Sequence, residues 1–186
     1  TFLGCWSGLV FAKQIGFRYV ILTTSGSAAL LMASLAAGVN PSSKALIPNR
    51  TWIATAHAPY LLGAEIYLAD TFDTHPVIDP LKVDGVSPDV IYPTSLNGCY
   101  AYSAELKKRF PHALIIEDCA QAFLSNANGV QHGFNADMAC FSLGMSKFLP
   151  VGQGGFVATN NSIFAEKLLE IRSHGVSSVE NRSPFL

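Results

Sequence analysis

The sequence predicts an α/β domain, with a mainly parallel seven-stranded sheet, one antiparallel strand, and helices on both faces. Three observations carry this. Short β-prone runs alternate with helical ones along the chain, the pattern of strands joined by crossover helices. The run at residues 113–116 is apolar throughout and leads straight into Glu117 and Asp118, as expected of a strand covered on both faces. The β-prone runs 137–143 and 155–159 are joined by a link broken by Pro150, Gly152 and Gly154. That link is too short for a parallel crossover, so this pair is expected to be antiparallel, with Lys147 on the turn between them.

Taken in order, residues 2–17 carry apolar side chains at helical spacing, and Gly16 is placed to end that helix. A strand at 19–23 follows. It ends at Thr24-Ser25-Gly26-Ser27, directly before an Ala/Leu-rich helix closed by Gly38. Residues 45–48 are a short strand, and a helix over 51–62 carries Trp52 in its first turn. Strands are expected at 65–69 and 90–94, separated by a loop at 70–88 with room for one short helix. An amphipathic, basic helix is expected over 102–110, outside the sheet. After the 113–116 strand, residues 124–134 read as a turn-rich excursion. A helix over 163–172 follows the last strand.

Composition narrows the function. The 186 residues are 49% hydrophobic and only 13% charged, well below the usual share of about 25%. This is enough apolar material for one core, and it points to an oligomer or to a missing partner segment. The net charge is −1 with no basic run, so a nucleic-acid partner is not expected. The longest apolar stretch, 28–39, is shorter than the roughly 20 residues of a membrane span. No signal peptide opens the chain. Cys5, Cys99, Cys119 and Cys140 lack metal-ligand spacing; they read as reduced core residues of a cytoplasmic protein, and no metal site is expected. The chain begins Thr-Phe-Leu and ends Ser-Pro-Phe-Leu, which reads as a fragment.

Several candidate site residues fall at or beyond the carboxyl ends of predicted strands, where open α/β sheets bind ligands. The Ser25-Gly26-Ser27 turn at a helix N-terminus can bind an anion, or Ser25 can be an ordinary cap. Trp52 can cover a flat ligand or lie in the core. Asp118, at the end of a buried strand, needs a cationic or multi-donor partner unless it caps a helix. Lys147 on a fixed turn is a candidate covalent nucleophile, or a solvated turn lysine. With Ser142, these groups suit a flat ring bearing an aldehyde, a basic nitrogen and a phosphate, which is pyridoxal 5'-phosphate (PLP).

The segments TSGSAAL (24–30), TWIATAHA (51–58), EDCAQA (117–122), FSLGMSK (141–147), GQGGFVAT (152–159) and IRSHG (171–175) resemble the DegT/DnrJ-type aminotransferases. These are PLP-dependent enzymes of the aspartate-aminotransferase fold that act on nucleotide-linked keto sugars. The resemblance implies that residues 1–186 form the PLP-binding large domain, without the N-terminal start and the C-terminal small domain. It makes Lys147 the Schiff-base lysine, Asp118 the partner of the ring nitrogen, and Gln121 a cofactor contact. It makes Gly26, Ser27 and Ser142 phosphate ligands and Trp52 the stacking aromatic. It also implies glutamate as the expected amino donor, a homodimer with a shared active site, and a cytoplasmic role in polysaccharide biosynthesis. Three positions depart from the pattern: Ser27 in place of threonine, Phe148 in place of a frequent asparagine, and Gln153 in place of a common acidic residue. Two rival readings keep the fold and the cofactor: other PLP chemistry such as a lyase or decarboxylase, and a non-catalytic PLP-binding regulator. Lysine at 147, where related sugar dehydratases carry histidine, favours amino transfer.

Overall fold

A computed structural model of the chain describes residues 2–173. Thr1 and residues 174–186 lie outside it, including the last two residues of the IRSHG segment, and so does the side chain of Cys5. The main sheet has seven strands: β1 (Tyr19–Thr23), β2 (Lys44–Pro48), β3 (Glu65–Ala69), β4 (Val90–Ile91), β5 (Leu114–Asp118), β8 (Met138–Ser142) and β9 (Gly155–Thr159). Their order across the sheet is β1-β9-β8-β5-β4-β2-β3. The pairs β2–β3, β2–β4, β4–β5 and β5–β8 are parallel, whereas β9 is antiparallel to both β1 and β8. The expected antiparallel strand is thus the last in the chain but sits second from the sheet edge, wedged between the first strand and β8.

Strand alternation sorts the core into two faces. Ala45, Ile47, Val90, Tyr92, Ile116, Met138, Cys140 and Val157 point to one face. There they meet α2 (Gly26–Ala36), α3 (Ile53–Leu61) and α5 (Ser162–Arg172) through Ala29, Leu30, Ala33, Ala58, Ala165 and Leu168. Their neighbours Phe141, Phe156, Ala139 and Ala158 point to the opposite face, onto α1 (Phe2–Ile15) through Ile15 and Phe11. Leu46, Ile91 and Ile115 point the same way and meet Leu106 of α4 (Ser103–Arg109). Helices therefore cover both faces, which is why β8 and β9 are apolar nearly end to end and β5 is apolar up to Glu117.

Some expectations shift in detail. β4 is only two residues long, and residue 94 reaches β5 through a single parallel bridge to Asp118. The turn-rich excursion is an ordered hairpin of β6 (Asn126–Ala127) and β7 (Val130–Gln131), turning at Asn128 and Gly129 with φ of 52° and 80°. Asn-Gly with both residues at positive φ is a two-residue hairpin turn. Cys119 lies just past β5, and Cys99 is half-buried, so the core reading of the cysteines holds for Cys119 and Cys140.

Candidate active site

One pocket lies at the carboxyl edge of the sheet. Its walls come from the segments that follow β1 (Ser25, Gly26, Ser27), β2 (Thr51, Trp52), β4 (Thr94, Leu96), β5 (Asp118, Gln121) and β8 (Ser142, Lys147). Parallel strands end at the same edge, so residues more than 100 positions apart in sequence converge there. All seven residues singled out from the sequence line this pocket.

The first wall is the N-terminus of α2. Ser25 has extended backbone and its Oγ accepts a hydrogen bond from the Ala28 N–H at 3.1 Å, so the cap reading of this serine is correct. The Gly26 and Ser27 N–H groups precede the first intrahelical bond and remain available to an anion, with the positive helix end behind them. Glycine is required at two points here. A Cβ on Gly26 would stand 2.7 Å from the Ser142 Cβ, and one on Gly155 would stand 2.5 Å from the Ser25 carbonyl carbon. The turn thus rests directly on the Ser142 end of β8 and the start of β9.

Asp118 ends β5 and is 4% exposed. Its Oδ2 accepts from the Thr55 hydroxyl at 2.7 Å and its Oδ1 from the Ala120 N–H at 3.1 Å. It makes no ion pair among the described residues. No helix follows it, so the capping alternative falls away. Desolvation pushes its carboxyl above the ordinary aspartate value; the Thr55 hydroxyl, the Ala120 N–H and the charge of Lys147 oppose that shift. A buried carboxylate held by two neutral donors still has lone pairs for a cationic N–H.

Lys147 is half-buried on the link between β8 and β9, with its N–H donated to the Gly144 carbonyl at 3.0 Å. Other lysines point to other duties: Lys82 pairs with Asp73, Lys107 with Asp137, Lys167 donates to the Ala36 carbonyl, and Lys44 opens β2 at the far edge. Trp52 is 70% exposed and precedes α3. It is a wall of the pocket, and the core reading does not hold. Gln121 is exposed, with its Oε1 held by the Asn97 N–H at 2.8 Å.

The sequence reading missed Thr51, Thr55 and Thr94, which connect to Asp118. The Thr51 hydroxyl lies 2.8 Å from that of Thr55 and 3.1 Å from that of Thr94. The available signal was the i, i+4 spacing of Thr51 and Thr55 at a helix start. The site holds no group of three or more metal-ligating side chains among the described residues.

The model of the DegT/DnrJ/EryC1/StrS aminotransferase family matches residues 9–185. The chain belongs to that family. DegT-family aminotransferases are PLP-dependent. Protein MosB of Rhizobium meliloti is 36% identical over 88% of the chain and 33% of its own length. GDP-perosamine synthase of Caulobacter vibrioides is 30% identical over 89% of the chain and 46% of its own length. Among solved structures, NtdA from Bacillus subtilis with bound cofactor PMP superposes with a TM-score of 0.81 at 28% identity, over 95% of this chain and 41% of that one. The chain thus spans from about a third to about half of the length of these relatives. No helix among the described residues is long and apolar enough to cross a membrane.

Proposed function

We propose that this chain is the PLP-binding part of an aminotransferase that moves an amino group, with glutamate as donor, onto a nucleotide-linked keto sugar. The observation that carries the reading is an amine, Lys147, in one pocket with a buried carboxylate, Asp118, that makes no ion pair among the described residues, beside a helix N-terminus. The residues fit the cofactor. Gly26 and Ser27 with Ser142 would hold the phosphate, Asp118 would accept from the protonated ring nitrogen, Trp52 would cover the ring, and Gln121 would donate its Nε2 amide. When bound, PLP supplies an aldehyde that condenses with amines and a ring that draws electrons from the carbon losing its proton.

Lys147 would hold the cofactor through its Nζ; once freed, the same amine would be placed to take the proton from the substrate carbon and to return it at the far end of the transfer. Asp118 would keep the ring nitrogen protonated through a charge-assisted hydrogen bond.

The sugar substrate is supported by the naming of relatives such as GDP-perosamine synthase. The assembly we favour is a cytoplasmic homodimer in which a second copy and a C-terminal small domain complete the sugar side. Support comes from an outward apolar stripe on α3, Ile53, Tyr60 and Leu61, beside Trp52, and from exposed Met145, Phe148 and Val151 on the Lys147 link. The test is a half-reaction. PLP-loaded full-length protein mixed with glutamate should lose its visible absorbance and form pyridoxamine phosphate with one equivalent of 2-oxoglutarate. Decarboxylated or eliminated products, or no change with any amino donor, would refute amino transfer.

A further inference from the structure

Leading away from Asp118 along the wall of the pocket runs a line of hydroxyls, two of which, Thr51 and Thr94, also line the pocket. Thr55 Oγ1 lies 2.7 Å from Asp118 Oδ2, Thr51 Oγ1 2.8 Å from Thr55 Oγ1, and Thr94 Oγ1 3.1 Å from Thr51 Oγ1. Thr55 is fully buried, Thr94 nearly so, and Thr51 half-buried. They come from three segments: the start of α3, the turn before it, and the chain past β4.

The direction of the line follows from proton counting. An ionised carboxylate only accepts, and each threonine hydroxyl has one proton. Thr55 must donate to Asp118, so it must accept from Thr51; Thr51 has then spent its proton and must accept from Thr94. All three dipoles point at one buried charge, and such chains strengthen each bond in turn.

We infer that Thr94, Thr51 and Thr55 are positioning residues that hold Asp118 ionised and so set the pH below which the pocket can no longer accept a cationic ring nitrogen. The Ala120 N–H holds the other oxygen, Oδ1, in every variant tested, so it does not replace the hydroxyls on Oδ2; the charged and titratable groups facing Asp118 do not replace them either. Lys147 attracts it from the β8–β9 link, but as the amine that reacts it does not keep its charge through turnover. Glu117, its neighbour on β5, repels it. The thiols of Cys119 and Cys140 are pushed well above their ordinary values by burial and are neutral.

The link to the ring nitrogen rests on the PLP reading; the ionisation of Asp118 does not, and the two are separable by experiment. The Asp118 carboxyl carbon is titrated by NMR in cofactor-free protein, with Asp118→Asn to assign the resonance. In parallel, the affinity for PLP is measured against pH by fluorescence quenching. Removing a donor to the charged form raises a carboxyl pKa. Thr55→Val should therefore move the midpoint up by about one pH unit or more, Thr51→Val should move it up by less, and Thr55→Ser should restore it. The acid limb of PLP binding should follow in the same order. Should Thr55→Val fail to fold, half-buried Thr51→Val decides. A wild-type midpoint in Thr51→Val, or Thr55→Ser behaving as valine does, overturns the inference. Wild-type protein that never binds PLP refutes the functional reading and the ring-nitrogen link, while the NMR series still decides the hydroxyl chain.

Discussion

Asp118 sits at the end of a buried strand with two neutral donors and, among the described residues, no ion pair, and its carboxyl is pushed up chiefly by desolvation. The folded pKa is then above the unfolded one. Between the two the folded state binds more protons, so this residue's effect on stability becomes less favourable as pH rises from the unfolded value through the folded one. Cofactor-free Asp118→Asn is accordingly expected to melt higher than the parent at neutral pH, with the difference vanishing in acid; equal melting at both pH values would refute it. The same variant should still bind PLP yet transfer amino groups about 10- to 150-fold more slowly, the size of a charged hydrogen bond of about 1.5–3 kcal/mol. Steady-state kinetics with glutamate checks this, and near-normal turnover would remove Asp118 from the chemistry. That Lys147, Asp118, Ser142, Gly26, Ser27 and Trp52 meet at one pocket was legible in the sequence because each carries distinctive chemistry or lies beside a strand end, while Gln121 came only from the family resemblance. Thr55 was not legible. A threonine at a helix start reads as propensity, and its partner lies 63 residues away.

Elements set that geometry by close approach. The Ser25-Gly26 turn and the start of β9 touch so tightly that Gly155→Ala would place a methyl 2.5–2.6 Å from backbone atoms. This should cost about 1–3 kcal/mol and open the anion cradle, lowering affinity for PLP more than affinity for its dephosphorylated form, pyridoxal; equal losses for both would place the damage elsewhere. On the opposite face of β5, Glu117 accepts from Ser95, Ser103, the Gly133 N–H and the Cys119 thiol. It ties together three segments that frame the loop at Asn97, whose N–H holds Gln121. Glu117→Ala orphans these buried donors and should destabilise the fold by about 3 kcal/mol or more, measured by urea unfolding; a loss under about 1 kcal/mol would show the network to be dispensable. Strand positions were readable from short β-prone runs and helices from their apolar spacing, since β1, β3 and β9 fall where those runs put them. The β6–β7 hairpin was missed although Asn128-Gly129 is a hairpin signal, because its strands are two residues long and carry no alternation to read.

At the scale of the molecule, the position of β9 between β1 and β8 was not legible, because pairing across the sheet is a long-range choice that local pattern does not encode. Its consequence is functional. With β9 antiparallel, its start meets the β8 terminus and the Ser25 turn at one edge, and the link carrying Lys147 closes over that edge. The apolar residues exposed beside it should be covered in the assembled protein: full-length chain is expected to elute as a dimer, and charged substitutions at Tyr60 and Leu61 should shift it towards monomer with loss of PLP affinity. A monomer that binds PLP stoichiometrically would contradict the shared site. The central claim is that Lys147 anchors the cofactor, and reduction of the PLP-loaded protein with borohydride followed by peptide mapping tests it most directly. The expected result is one phosphopyridoxyl label per chain, on Lys147 and absent from Lys147→Ala. A label on any other lysine, or none on Lys147, would contradict the account.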